Sequence, residues 1–573
     1  MLLVALLSLL AGCTALRFVP GAFLKLPDSQ GAHRFNAGTA SAAAYDELTK
    51  ILYVVGTQAA VMNIIDLSNP DSPTIVQTVP FTQGFPAAVA VCHSSQRSFL
   101  AVGFQRLGTS SRGKVRIYGA LDDPSDPLVS AYDPVPINGY DPTSMQWTDN
   151  CYQLVVVSRG QVHKINGAFD DPPTEIEILS MSVVVERREI PISDSALIAG
   201  GVRQVFQRCT EGSNALSTRK QDLEIRSVTI SEDNVAYFAI GKNNAIGWLD
   251  LESAYPEVKF LSLGTKKWKG LGIDASFNDS GINPQPYPID TFYQPFDLVT
   301  FQSGGKTYIA TADTGEFTRL TQVEDGCEFS EASTGQEWIA AEGFSSAVPT
   351  ADITLLRAAL RDTSRLGQME FTRLKTAADG YNALVDGYDR ITGYGGRGLS
   401  IFTIDPHSTG INSKDSHHVQ RVYDSGDIFE RIYTGNLADR YKAVFNSQMG
   451  SASALQNSRF DMASPETGPA PRAIEMGTIN NLTVLAVANG QVGGIYFFTV
   501  ESEGNNVPIV RYEGFVRRGN PGLSWSEAYG LPDDSVGEPL TSDLQWLTTD
   551  QGPYLIALSG QAGVVSLYSV HDP

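Results

Sequence analysis

Apolar residues in this chain fall into short alternating runs, each closed by a turn of Asp or Asn with Pro: VMNIIDLSNP at 61–70, KVRIYGALDDP at 114–124, GLSIFTIDP at 398–406 and VVSLYSVHDP at 564–573. Such a run predicts a strand. Alternate side chains share one face, Pro cannot extend the ladder, and Asp or Asn caps the turn with its own side chain. Two more strands are expected before each phrase. First strands begin near Ala42 (AAAYD), Pro86, Pro142, Ile225, Pro295, Pro471 and Thr541, and second strands are ILYVV, SFLAV, QLVVV, VAYFA, TYIAT, TVLAV and YLIAL. Each three- or four-strand unit is too small to bury its own apolar face, so about seven of them predict an all-β fold, a roughly seven-bladed β-propeller spanning 16–573. A pair of β-sandwiches is the alternative.

The last unit ends at Pro573 with no fourth strand after its turn. An open edge there invites aggregation, so the segment Phe23 to Leu26 (FLKL) is expected to fill it and close the ring. Helical spacing is clear at one place, ADITLLRAALRDTSRLGQME at 351–370, where Ile353, Leu356, Leu360 and Leu366 recur on one face. This helix lies in an insertion of about 317–392 within the fifth unit, and a second insertion covers about 429–467. Either insertion serves as a functional lid or as mobile decoration.

Residues 2–10 (LLVALLSLL) followed by small residues read as a signal peptide, 1–15, cleaved after Ala15. LAGC at 10–13 leaves a lipoprotein reading open, with Cys13 lipidated. No other segment is long and apolar enough to span a bilayer, so the mature chain is expected to be secreted, extracellular or cell-surface associated, with no transmembrane segment. Four of the five cysteines then remain. Cys92 and Cys151 occupy equivalent positions of consecutive units and are expected to pair, as are Cys209 and Cys327; free buried thiols are the alternative. Sequons stand at Asn278 (NDS) and Asn481 (NLT), which makes a glycoprotein.

The net charge is -21, from 63 acidic against 42 basic residues. That balance repels nucleic acid and favours cations or a mineral surface as partners. Charged residues are only 18% of the chain, which indicates a folded acidic globule and not a disordered polyanion. Enzyme motifs are scarce. There is no HExxH and no Cys/His spacing for zinc; Gly393, Gly395 and Gly398 lead into a strand, and SGGKT at 303–307 reads as a hairpin turn. Carboxylate loops are better candidates. DASFNDSG at 274–281 offers Asp274, Ser276 and Asp279, a density of hard oxygens suited to calcium, and DGYD at 386–389 offers Asp386 and Asp389 with Asp379 nearby. Turn carboxylates that only cap backbone amides are the alternative at each loop.

AAAYDELTKILYVV at 42–55, NNAIGWLDL at 243–251, IDASFNDSGIN with YQPFDLVTF, GKTYIATADTGE at 305–316, YGGRGLSIF at 394–402, YDSGDIFE at 423–430 and GQVGGIYFF at 490–498 together resemble one family. It is the family of mesenchyme-specific cell-surface glycoproteins and their bacterial relatives with a choice-of-anchor domain, some of them labelled alkaline-phosphatase-like. The resemblance implies an extracellular propeller associated with biomineralisation through calcium, with matrix proteins as further partners. It also implies polar residues around a central channel, here Glu224, Asn243, Asn244, Asp313 and Glu316. Arg159, Arg226, Lys242 and Arg472 stand where the family usually has carboxylates, which argues against a metal cluster in that channel. Three readings remain: a non-enzymatic calcium- or mineral-associated matrix glycoprotein, a metal-dependent phosphoester hydrolase using Glu224, Asp313 and Glu316, and a protein-binding propeller.

Overall fold

The alternating runs fold as the third strands of four-stranded antiparallel sheets. The structure, a computed structural model, describes residues 16–106, 112–160, 163–165, 168–205, 217–322, 327–404, 419–491, 493–501 and 507–571. The expected signal peptide and Cys13 lie outside the described residues. Seven four-stranded sheets occur among those described. Their first strands are Ala42–Asp46, Pro86–His93, Asp141–Trp147, Ser227–Ile230, Pro295–Ser303, Pro471–Ile479 and Thr541–Thr549, here sheets 1 to 7 in that order.

Burial explains the composition of each strand. Second strands such as Ile51–Gly56 and Val235–Ile240 are buried along their whole length, so they read as unbroken apolar runs. Fourth strands such as Val185–Ile190 are largely exposed and carry charge. Each pair of neighbouring sheets shares its own hydrophobic cluster. Sheets 1 and 2 share Tyr53, Ile64, Leu100 and Val102; sheets 7 and 1 share Leu52, Val54, Ile556 and Leu567. First strands contact one another in the same cyclic order, from sheet 1 through sheet 7 and back to sheet 1.

A second device links the sheets. The first strands of sheets 3, 5 and 7 each carry a bulge near their start, at Pro142/Ser144, Pro295/Asp297 and Thr541/Asp543. A bulge re-aims the side chain beside it. Ser144 Oγ accepts the Val228 N–H at 3.2 Å, Asp297 Oδ2 the Ile474 N–H at 3.1 Å and Asp543 Oδ2 the Ala43 N–H at 2.8 Å. Each bond fastens one sheet to the next.

The fourth strand of sheet 7 is Arg17–Lys25, antiparallel to Val564–His571 and bulged between Pro20 and Phe23. It begins earlier than the expected Phe23 to Leu26, and Leu26 itself lies just past the strand with its N–H on the Gly563 carbonyl. The expected helix over 351–370 is shorter too, Thr350–Ala359. Asp362 ends the pattern: its carboxylate accepts from the Ser364 N–H and hydroxyl, and its carbonyl accepts the Gly367 N–H, a local turn that competes with further helix. Leu356, Leu360 and Leu366 are nevertheless buried together.

The insertion within sheet 5 sits between strands Lys306–Asp313 and Gly398–Ile404. It does not stand alone. Thr265–Lys267 and Asp290–Phe292, from the connection between sheets 4 and 5, join Ala332–Thr334, Glu370–Thr372 and Thr392–Gly393 in one five-stranded sheet. Trp268, Ile289, Trp338 and Phe371 fill a core beneath it. Among the described residues no helix is long and apolar enough to cross a membrane. Cys92 and Cys151 form a disulfide between sheet 2 and the first turn of sheet 3. Cys209, the expected partner of Cys327, lies outside the described residues.

Candidate cation site and central channel

Asp274 and Asp279 come from the connection before sheet 5, as the sequence suggested, and Asp461 joins them from the insertion before sheet 6. One carboxylate oxygen from each lies within 4.8 Å of the others. Asp274 is held by its backbone: its N–H donates to Glu430 Oε2 (2.7 Å) and its carbonyl accepts from Arg397 Nη1 (2.8 Å). The fully buried Arg397 also donates to Glu430 Oε1 at 2.7 Å. Asp274 Oδ2 accepts the Asn283 N–H, and Ser464 donates its hydroxyl to Asp461 Oδ1. Asp461 Oδ2 and Asp279 Oδ1 are buried and have no hydrogen-bond partner among the described residues. Orphaned acceptors of this kind are costly.

Burial, then Glu430 and Asp461, pushes the Asp274 carboxyl up to about 8; burial pushes Asp461 up to about 8 and raises Asp279. Both effects oppose the ionised state, and a divalent cation with a preference for hard oxygens would reverse them. Asp279 also lines a surface cavity with Asn278, Asn283, Tyr287 and Arg365, which gives the site an entrance. Asp461 and Glu430 were missed by sequence reasoning because the short helix Ile428–Arg431 and the turn at Asp461 are remote from 274–281 in the chain and carry no ligand spacing.

Other expected ligands lie elsewhere. The Ser276 hydroxyl donates to the Thr363 carbonyl at 2.6 Å and accepts the Asn278 N–H, so it is already engaged. Asp386 and Asp389 are exposed on a hairpin: Asp386 accepts from the Tyr381 hydroxyl, Asp389 from Ser345 and Asn382, and neither joins a group of three carboxylates. Asp379 is buried under Arg203, 2.9 Å away. Asn278 and Asn481 are both exposed, Asn481 in the turn between the first two strands of sheet 6.

The first strands of all seven sheets line a central cavity of about 740 Å³. Glu224, Asn243, Asn244, Asp313 and Glu316, expected there, are not among its lining residues. Asn243 and Asn244 form a hairpin turn and bridge to neighbouring backbone: Asn243 accepts the Glu224 N–H, and Asn244 accepts the Gln294 N–H. Asp313 accepts from Thr311 and Ser400 and is pushed up to about 8 by burial. Arg226 takes up Glu224 at 3.0 Å and Glu316 closer still, so a guanidinium stands between the two carboxylates proposed for a hydrolytic metal. The charged residues that do line the cavity are Arg159, Arg226, Arg472, Asp297, Glu475 and Asp543.

The model of the choice-of-anchor I domain family matches residues 41–503, which covers most of the chain and all of the residues just described except Asp543. The chain belongs to the choice-of-anchor I family. Two curated relatives of this choice-of-anchor I protein are animal proteins. A mesenchyme-specific cell surface glycoprotein of Strongylocentrotus purpuratus is 28% identical over 324 residues, 54% of this chain and 39% of its own. Gigasin-3a of Magallana gigas is 27% identical over 190 residues, 32% of this chain and 58% of its own. The chain thus spans well under two thirds of either relative. Among solved structures, Kuenenia stuttgartiensis hydrazine synthase covers 94% of this choice-of-anchor I chain and 97% of its own at 11% identity and a TM-score of 0.41, a likeness too slight to bear on function.

Proposed function

We propose that this protein is an exported matrix or cell-surface glycoprotein, a seven-bladed β-propeller that binds calcium through Asp274, Asp279 and Asp461 and carries glycans at Asn278 and Asn481. The observation that carries the reading is the convergence of three carboxylates with two buried, unpartnered oxygens beside an open cavity. The seven inter-sheet clusters, with sheet 7 packed on sheet 1, support the propeller. The name of the sea-urchin relative supports the surface location, and an acidic charge of -21 suits a calcium-rich mineral or matrix partner.

Calorimetric titration of calcium into the glycosylated, full-length protein tests it. Wild type gives saturable heat. Asp461→Asn weakens binding about tenfold or more, because an amide cannot supply the lost charge. Asp386→Asn binds as wild type does, since that carboxylate sits on a remote hairpin. Equal heats in wild type and Asp461→Asn would sink the assignment.

A further inference from the structure

Buried charge in this protein is paired as a rule. Arg203 meets Asp379 and Glu331, Lys242 meets Asp222, Lys266 meets Asp424, and Arg397 meets Glu430. Two cations of the central cavity break the rule. The side chains of Arg159, at the end of a sheet 3 strand, and Arg472, at the start of sheet 6, make no hydrogen bond and no ion pair with any described residue. The Arg472 guanidinium lies over the face of Phe296, 4.6 Å away, and Arg226 approaches the same ring at 5.2 Å. Arg159 Nε and Arg226 Nε are buried and donate to nothing.

The three guanidiniums feel one another. Burial followed by Arg226 holds Arg159 below its usual range, and burial, Arg226 and Arg159 push Arg472 down to about 10. Glu224 and Glu316 oppose them, Asp141 acts on Arg159 as well, and Arg226 pairs with both glutamates. Arg159 and Arg472 are half-buried, and a partly desolvated guanidinium without a paired anion is costly, more so beside two others. Planar forks that converge on an open space match the oxygens of a carboxylate or phosphate. The same cavity wall offers Ser144, Gln146, Thr229 and Gln545, which suit hydroxyl groups, together with the carboxyls of Asp297, Glu475 and Asp543.

We infer that the Arg159–Arg226–Arg472 end of the channel binds the oxyanion group, carboxylate or phosphate, of a small hydroxylated organic ligand. This site shares no residue with the calcium site, and either can fail without the other.

The test is calorimetry on the full-length protein in calcium-free buffer, with glucuronate, glucose 6-phosphate and inorganic phosphate as probes and chloride at matched ionic strength as control. At least one probe gives saturable heat that chloride does not, and the stronger of the first two tells carboxylate from phosphate. Arg159→Gln and Arg472→Gln each weaken it about tenfold or more. Asp461→Asn leaves it unchanged. Melting without any probe supplies a readout that a structural role would move the other way: both Arg→Gln proteins melt at or above the wild-type temperature, because a repelled cation has been removed. Heats no different from chloride, full binding by the Arg159→Gln/Arg472→Gln double variant, or lower melting of both single variants would each overturn the inference.

Discussion

Three carboxyls in the channel wall, Asp297, Asp543 and Glu475, are pushed up to about 6, 7 and 8, in each case chiefly by burial. An acid whose folded pKa lies above its unfolded value stabilises the fold while protonated. That contribution is complete below about pH 4 and is lost as pH rises through 6 to 8. With calcium saturating, so that the Asp274 cluster stays ionised, the protein should melt at a higher temperature at pH 5 than at pH 8.5. Asp543→Asn keeps an oxygen for the Ala43 N–H and removes the charge. It should flatten that dependence and melt above wild type at pH 8.5, by on the order of 1–2 kcal/mol; a pH profile identical to wild type would refute the linkage. At this scale the sequence was half legible. Asp274 and Asp279 announce themselves because they share one loop, whereas Asp461 arrives through tertiary packing of an insertion. The arginines at the starts of inner strands were visible as misplaced cations, but that Arg226 consumes both nearby glutamates depends on rotamers no spacing encodes.

At the level of strands, first-strand starts at Ala42, Pro86, Pro295, Pro471 and Thr541 coincide with the sequence reading; Pro, which cannot donate to a ladder, marks the first residue of three of them. The five-stranded sheet under the insertion was not legible. Its strands are two or three residues long and come from two separate connections, so no periodicity survives. Gly477 shows how one strand depends on its neighbour. A glycine inside a strand looks like a weakness, yet a Cβ there would overlap the indole of Trp546 in sheet 7. Gly477→Ala should therefore cost about 1–3 kcal/mol through forced movement of the ring. Chemical denaturation measures the loss and near-ultraviolet circular dichroism reports the displaced indole; an unshifted midpoint would mean the two sheets have room to spare.

Across the whole molecule, sheet 7 depends on a strand from the opposite end of the described chain. Arg17–Lys25 covers the edge of Val564–His571, and the carbonyls of Gly21 and Ala22 accept from Arg518. Deleting 17–25 should lower the melting temperature by several degrees or more and speed aggregation, because a bare edge is a template for pairing; scanning calorimetry with light scattering checks both, and an unchanged melt would show the strand to be dispensable. The disulfide has a different consequence, one of mechanics. Arg17 and His571 are paired neighbours, so tension applied at those two residues peels sheet 7 apart one pair at a time. The Cys92–Cys151 bond spans 59 positions of sequence, and the roughly 200 Å of chain it encloses cannot pay out under load. Pulled in an oxidising medium, the molecule would lengthen in a shorter total extension than its sequence allows, and a thiol reductant would release the missing length.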